Sequence, residues 1–116
     1  MKNKELNICL VSLAREIKII QKNIHNFEKI YNSYNLNFFI ICPSRDKKIF
    51  ELFKNKNVSI INEDEIIAFS NFKNIFNLYM KKSPYFNQIQ SRVSWYYQQC
   101  LKISFIFYYF KIIDQN

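Results

Sequence analysis

Residues 6–13, LNICLVSL, are a short apolar run rich in branched side chains, typical of a strand buried inside a parallel sheet. Residues 16–34 follow with apolar side chains at positions 17, 20, 24, 27, 31 and 34, which predicts a helix with one apolar stripe. Two more strands are predicted at residues 36–42 (LNFFIIC) and 58–61 (VSII), with a short helix at 45–54 between them. This alternation predicts an α/β fold in which helices flank a mainly parallel sheet of three to four strands.

The rest of the chain is predicted to be largely helical. Residues 66–80 form a weaker helical pattern, and residues 81–84 (KKSP) indicate a loop. Residues 93–110 are apolar on nearly every side, so a helix there should be buried rather than lie on the surface. Residues 111–114 (KIID) are predicted to be a fourth strand that ends in an acidic residue. We expect a single domain over residues 1–116.

Composition excludes several classes of protein. Leu, Ile, Val and Phe account for 41 of the 116 residues, far too many for a disordered chain. No apolar run approaches the roughly 18 residues of a membrane span, and the amino-terminal residues do not resemble a signal peptide. Three widely spaced cysteines suit reduced thiols. These features predict a cytoplasmic protein, with a position at the inner face of the membrane left open.

The chain contains no glycine. The glycine-rich loops of the dinucleotide fingerprint and of the P-loop are therefore excluded. Tight turns and helix ends are expected to use asparagine instead, because its side chain tolerates the left-handed backbone region. No internal repeat is apparent.

Polar side chains within an apolar helix mark one candidate site. The segment around the only tryptophan carries Trp95, Gln98, Gln99 and Lys102, and the spacing places Gln98 and Lys102 on the same helix face. Burying such groups costs free energy unless they find partners, so they either bind a ligand or hydrogen-bond to nearby backbone. The single histidine, in the first helix, is expected to be solvated, and the cysteines lack the spacing of a zinc site.

A carboxylate at the end of the last predicted strand marks a second candidate site. Ligands of open α/β sheets bind at the carboxyl ends of the strands, where Asp114 would lie. A carboxylate there suits a hard divalent cation that in turn binds a diphosphate.

A W-x-x-Q-Q-x-x-K helix followed by a strand that ends in Asp resembles an uncharacterised family of bacterial glycosyltransferase-like proteins, related to nucleotide-sugar transferases of the GT-A fold. The helix motif runs from Trp95 to Lys102, and the strand is residues 111–114. The resemblance implies transfer of a sugar from a nucleotide-sugar donor to a saccharide acceptor, in surface-polysaccharide assembly. The strand of such proteins ends in Asp-x-Asp, whereas this chain has Asp114 followed by Gln115 and Asn116.

The resemblance also implies roles for particular residues. Ser12 and Arg15, which follow the first strand, would lie near the nucleotide, and Arg15 could pair with a phosphate in a bidentate manner. Gln98 and Lys102 would project towards the donor, with Gln99 beside the site. Trp95 would either pack beside the site or fill the core. Asp114 would bind a divalent metal, Mn or Mg, beneath the diphosphate.

The acceptor-binding half of such a transferase is not in the sequence, which implies an amino-terminal fragment without full activity that exposes apolar surface and self-associates. Two alternatives come from other classes of protein. The net charge of +8 and 21 aromatic residues are compatible with a basic nucleic-acid-binding module, although no specific nucleic-acid target is indicated. The helix at 103–110 with its flanking lysines is compatible with a membrane-surface module.

Overall fold

The computed structural model describes residues 4–52 and 57–114, of which 113 and 114 are described by their backbone alone. The chain divides into two compact units, Met1–Asn62 and Glu63–Asn116. We call them the first and second unit. The prediction of one domain over residues 1–116 remains a prediction.

The first unit is an α/β unit built on a parallel sheet. Its three strands are β1 (Lys4–Val11), β2 (Tyr34–Cys42) and β3 (Val58–Asn62), in the order β1-β2-β3. Both strand pairs are parallel, with Val11 opposite Ile41 and Ile41 opposite Ile61. The α/β class and the parallel three-stranded sheet with flanking helices are therefore confirmed.

Two helices make the crossovers between these strands. Helix α1 (Ile17–Ile30) joins β1 to β2, and the five-residue helix α2 (Lys47–Glu51) lies between β2 and β3. Each helix is preceded by a 3₁₀ turn, Ala14–Glu16 before α1 and Ser44–Asp46 before α2. The last two residues of the short helix predicted at 45–54 lie outside the described residues.

One core holds the sheet and both helices together. Alternate residues of β2 point to the same face of the sheet because side chains alternate along a strand. That face of β2 packs with the stripe of α1 and with α2 in one buried cluster, whose members are Ile20, Ile24, Leu36, Phe38, Ile40, Cys42, Phe50, Val58 and Ile60. Both crossover helices therefore lie on the same side of the sheet.

The second unit is helical. A 3₁₀ turn at Glu63–Glu65 precedes α3 (Phe69–Met80), α4 (Phe86–Gln90) and α5 (Val93–Asp114). Aromatic rings join α3 to α5, since the ring of Tyr97 lies 5.0 Å from that of Phe69 and 5.4 Å from that of Phe72 between centroids. Tyr97, Leu101 and Phe105 form the buried face of α5.

Three sequence-based predictions about the second half and the turns are wrong. Residues 111–114 are not a strand but the last turn of α5. No proline or glycine interrupts α5, and adding one residue to a formed helix is far easier than starting a new element. Helix α5 is also not buried all round, because Phe107 is 74% exposed and Trp95 57% exposed. Among the described residues none has a positive φ angle, so the turns do not place asparagine in the left-handed region.

Candidate functional site

The carboxyl ends of β1 and β2 form the edge of the sheet where ligands of open α/β folds bind. Each of the two strands is followed closely by a 3₁₀ turn. Two residues separate Val11 from the turn Ala14–Glu16, and one residue separates Cys42 from the turn Ser44–Asp46. Because Val11 pairs in register with Ile41, residues 12–16 and 42–46 occupy equivalent positions on neighbouring strands.

The turn after β1 is fixed by its own carboxylate. The Ser12 side chain is buried, with 3% of the residue exposed, and its hydroxyl lies 3.3 Å from Oε1 of Glu16. The Leu13 N–H donates to the same oxygen at 3.0 Å. The Ser12 N–H donates to the carbonyl oxygen of Ile41 at 3.0 Å, which continues the ladder between β1 and β2. Ser12 is therefore bound to the protein's own turn.

A second carboxylate ties the two turns together. Oδ2 of Asp46 accepts a hydrogen bond from the Ala14 N–H at 2.9 Å. The side chain of Asp46 is 13% exposed, whereas that of the neighbouring Arg45 is 74% exposed. Nε of Arg45 lies 3.8 Å from Oδ1 of Asp46, a loose ion pair at the surface. Asp46 thus closes the gap between the ends of two adjacent strands.

The two turns resemble each other in sequence and conformation. Residues 14–16 read ARE and residues 44–46 read SRD, so each turn has an exposed arginine followed by an acid. Glu16 accepts from the N–H of Leu13 just before its own turn, whereas Asp46 accepts from the N–H of Ala14 in the other turn. Sequence analysis singled out Arg15 but missed Arg45 and Asp46. A signal was present, because each triplet follows within one residue of a short apolar run, 6–13 for the first and 36–42 for the second.

The arrangement limits what this edge can bind. The N–H groups of Leu13 and Ala14, which a phosphate would approach, already donate to Glu16 and Asp46. An anion at this edge would therefore be met by guanidinium groups, which offer several donors in a planar fork. Arg15 and Arg45 are both exposed and supply that chemistry.

The four predicted residues of the second unit lie on α5, as the motif implied. Trp95 and Lys102 are exposed, and Gln98 and Gln99 are half-buried. Gln98 and Lys102 lie one turn apart on the same face, while Gln99 lies one turn after Trp95. An open cavity of about 370 Å³ lies near the start of this helix, lined by Tyr85, Gln88, Ile89, Arg92 and Tyr96. No spacing pattern in the sequence predicts this cavity, because its residues come from α4, α5 and the segments before them.

Two tyrosine side chains, one buried and one partly buried, donate hydrogen bonds through their hydroxyl groups within this unit. The hydroxyl of Tyr97 donates to the carbonyl oxygen of Ile67 at 2.5 Å, and that of Tyr108 donates to Oε2 of Glu65 at 2.6 Å. Burial, followed by the hydrogen bond and negative charge of Glu65, raises the pKa of Tyr108 to about 12. Burial, with the charges of Glu63 and Asp64, also raises the pKa of Tyr97 well above its ordinary value. Both hydroxyls therefore stay protonated at neutral pH.

The described residues do not gather a metal-binding set. Among them no group of three His, Cys, Asp or Glu side chains is close enough to hold an ion. Asp114 is the last residue of α5 rather than the end of a strand, and its side chain lies outside the described part, as do Gln115 and Asn116. His25 is exposed on α1, as expected.

The predicted residues fall into two sets. Ser12 and Arg15 lie just after β1 in the first unit, and Trp95, Gln98, Gln99, Lys102 and Asp114 share helix α5 of the second. Comparison of the sequence and structure with protein-family models, curated proteins and solved structures finds no significant match. Within the described residues, no helix is long and apolar enough to cross a bilayer.

Proposed function

We propose that the chain is the nucleotide-binding part of a glycosyltransferase-like protein of the GT-A type. Its reaction would transfer a sugar, such as a hexose, from a nucleotide-sugar donor to a saccharide acceptor in surface-polysaccharide assembly. The observation that carries the proposal is the parallel sheet of the first unit, whose carboxyl edge presents the exposed Arg15 on a rigid turn.

The shape of the turns supports a particular way of holding the diphosphate. With no glycine in the chain and the turn N–H groups already bonded, a backbone cradle for phosphate does not form at this edge. Side chains must then neutralise the phosphates, and in this proposal Arg15 does so by a bidentate contact. Ser12 would act as a positioning residue through Glu16 rather than as a ligand.

For the motif on α5, in the second unit, a role in binding the donor rests on the resemblance alone. Lys102 offers a mobile ammonium group that would offset phosphate charge, and Gln98 offers an amide on the same helix face for hydroxyl groups of the sugar. Gln99 and Trp95 lie one turn apart beside them. A divalent ion, Mn or Mg, would polarise the diphosphate when bound, and Asp114 is the residue proposed to hold it. That last assignment has no support from the fold, because the strand that would have carried Asp114 is a helix.

The binding half of this proposal is tested by ligand-dependent thermal stability of the full chain. Nucleoside diphosphates of each common base are added with and without Mn²⁺ or Mg²⁺. A ligand present at one hundred times its Kd should stabilise the folded chain by about 2.7 kcal/mol. Losing a charge-assisted contact of about 1.5–3 kcal/mol in Arg15→Gln should weaken binding by at least about tenfold.

Matched variants separate this site from general charge effects. Lys29→Gln removes the same charge from the last turn of α1, at the far end of that helix from Arg15, and should bind as the parent does. Asp114→Ala should abolish only the metal-dependent part of the shift. No stabilisation by any nucleoside diphosphate at millimolar concentration would refute the proposal, as would equal losses in Arg15→Gln and Lys29→Gln.

A further inference from the structure

Helix α5 carries a second apolar face that the fold of its unit does not use. This face consists of Trp95, Ile103, Ile106, Phe107 and Phe110, each between 54% and 74% exposed. Their spacing confines them to about a third of the helix circumference, opposite the buried face. Half-buried Gln99 is the one amide within that arc. We call this set the α5 apolar face.

Among the side chains that the structure describes, the charged residues that border the α5 apolar face are lysines, and Asp114 is the last residue of the helix. Lys102 borders the face on one side and Lys111 on the other, and both lysines are exposed. From Ile66 to Ile113 the sequence contains six lysine and arginine residues and no aspartate or glutamate. The composition of the whole chain accounts for many lysines, but it does not account for the complete lack of carboxylates over this stretch.

A helix that lies in a membrane interface presents aromatic and aliphatic side chains to the bilayer and basic side chains to the headgroups. The exposed side of α5 offers both, while its opposite side is apolar and is buried within the unit. The stems of the lysines bury against apolar surface while their ammonium groups reach the headgroups. We propose that the α5 apolar face docks on the surface of a bilayer that contains anionic phospholipid. This inference does not depend on the proposed sugar transfer.

Charge and side-chain chemistry favour an anionic bilayer on this face over a second copy of the chain or a nucleic acid. A second copy of the chain seated on the same face would add two more bordering lysines and would offer no described carboxylate to neutralise any of them. A nucleic acid would satisfy the lysines, but the aliphatic side chains of Ile103 and Ile106 have no π face on which a base can stack. An anionic bilayer satisfies both the lysines and the apolar side chains.

The test is vesicle binding by the full chain. Trp95 is the only tryptophan and lies on the α5 apolar face, so its fluorescence reports docking directly. We expect co-sedimentation with vesicles of phosphatidylcholine and phosphatidylserine, together with a blue shift of the Trp95 emission. Binding should weaken as salt is raised and should be much weaker to phosphatidylcholine alone.

Two variants measure the contributions of an apolar and a basic side chain to vesicle binding, and a third is their control. Phe107→Gln removes an apolar side chain that would enter the interface and should weaken binding by about tenfold. Lys102→Gln should weaken binding to the anionic vesicles by about fivefold, the share of one basic residue near such a surface. Leu52→Gln is the matched control, because Leu52 is 85% exposed in the first unit, and it should bind as the parent does. All three side chains are exposed, so the melting temperatures should match that of the parent.

Several results would overturn the proposal. One is equal binding to neutral and anionic vesicles, and another is an equal loss in Leu52→Gln and Phe107→Gln. Failure to bind vesicles, combined with a dimer that Phe107→Gln dissociates, would assign the face to a second copy. Failure to bind vesicles, combined with salt-sensitive binding of a single-stranded oligonucleotide that Lys102→Gln weakens, would assign the charge to nucleic acid.

Discussion

Asp46 is the residue whose loss tests the structure of the sheet edge most directly. Its carboxylate accepts the Ala14 N–H at 2.9 Å, and it joins the turn after β1 to the turn after β2. Asp46→Ala removes a hydrogen bond to a charged acceptor, which is worth about 1.5–3 kcal/mol. Water can reach the half-buried Ala14 N–H once the carboxylate is gone, so we expect a loss of about 2 kcal/mol in the free energy of unfolding.

Two neighbouring variants show which contact of Asp46 matters. Asp46→Asn keeps an acceptor oxygen but loses the charge, so it should cost about 1 kcal/mol. Arg45→Gln breaks only the ion pair, whose partner Arg45 is 74% exposed and whose atoms lie 3.8 Å apart. Exposed pairs of this kind contribute little, so the cost should stay below about 0.5 kcal/mol. Glu51→Ala removes an exposed acid from α2, the helix that follows this turn, and serves as the control.

Urea denaturation followed by circular dichroism measures all four variants. The urea midpoint should fall least in Arg45→Gln, more in Asp46→Asn and most in Asp46→Ala. The dependence of the unfolding free energy on urea concentration should not change, because the surface exposed on unfolding is the same. A loss of about 2 kcal/mol corresponds to a fall of about 10 °C in Tm for a domain of this size. The reasoning is refuted if Asp46→Ala costs less than about 0.5 kcal/mol, or if Arg45→Gln costs as much as Asp46→Ala.

Three further variants probe the second unit. Leu101→Ala opens a cavity at a fully buried position of α5 and should lower the free energy of unfolding by about 2–5 kcal/mol in urea denaturation, and a loss below 1 kcal/mol would contradict its burial. Tyr97→Phe removes the hydroxyl that donates to Ile67 and should cost about 1 kcal/mol by the same assay, whereas an unchanged midpoint would show that the bond contributes nothing. The pKa of Tyr108 is raised from 10 to about 12, so its contribution to stability is present below pH 10 and is lost as pH rises towards 12. Tyr108→Phe should therefore lose less stability than the parent between those pH values, and identical pH profiles would show that the contact with Glu65 is not maintained in solution.

The strands and the first crossover were predictable because each has its own local pattern. Residues of β2 alternate between the two faces of the sheet, and α1 carries one apolar stripe at helical spacing. Such patterns are written in consecutive residues and need no knowledge of the rest of the chain. The proline at residue 43 ends β2 close to where the sequence predicted.

The tie between the two turns was not predictable in the same way. Asp46 bonds to Ala14, which lies 32 residues earlier in the chain, and the bond depends on the register between β1 and β2. A search for repeated triplets after apolar runs would have found the pair of turns. That search would not have shown that Asp46 accepts a hydrogen bond from Ala14, because neither triplet indicates which strands are neighbours in the sheet.

The wrong fourth strand shows how an apolar segment is decided by what precedes it. Residues 111–114 have a strand-like composition, but they continue a helix that already has five turns behind it. Extending that helix adds one hydrogen bond per residue, whereas a new strand needs a turn and a neighbouring strand edge. The same continuation carries Phe107 and Phe110 onto an exposed helix face.

The hydrogen bonds that Glu16 and Asp46 accept also limit how an anion can bind at the edge of the sheet. A phosphate that reached the Leu13 N–H would have to displace the Glu16 carboxylate, leaving that negative charge beside the incoming anion. Since like charges in contact repel, the displacement would weaken binding rather than strengthen it. Contacts through Arg15 and Arg45 leave both carboxylates in place, so we expect any anion at this edge to bind across the guanidinium groups and outside the turns. Glu16→Gln, which keeps an acceptor for the Leu13 N–H but removes the charge, should then strengthen the binding of a nucleoside diphosphate, as measured by titration calorimetry. Weaker binding in Glu16→Gln would show that the carboxylate itself organises the ligand.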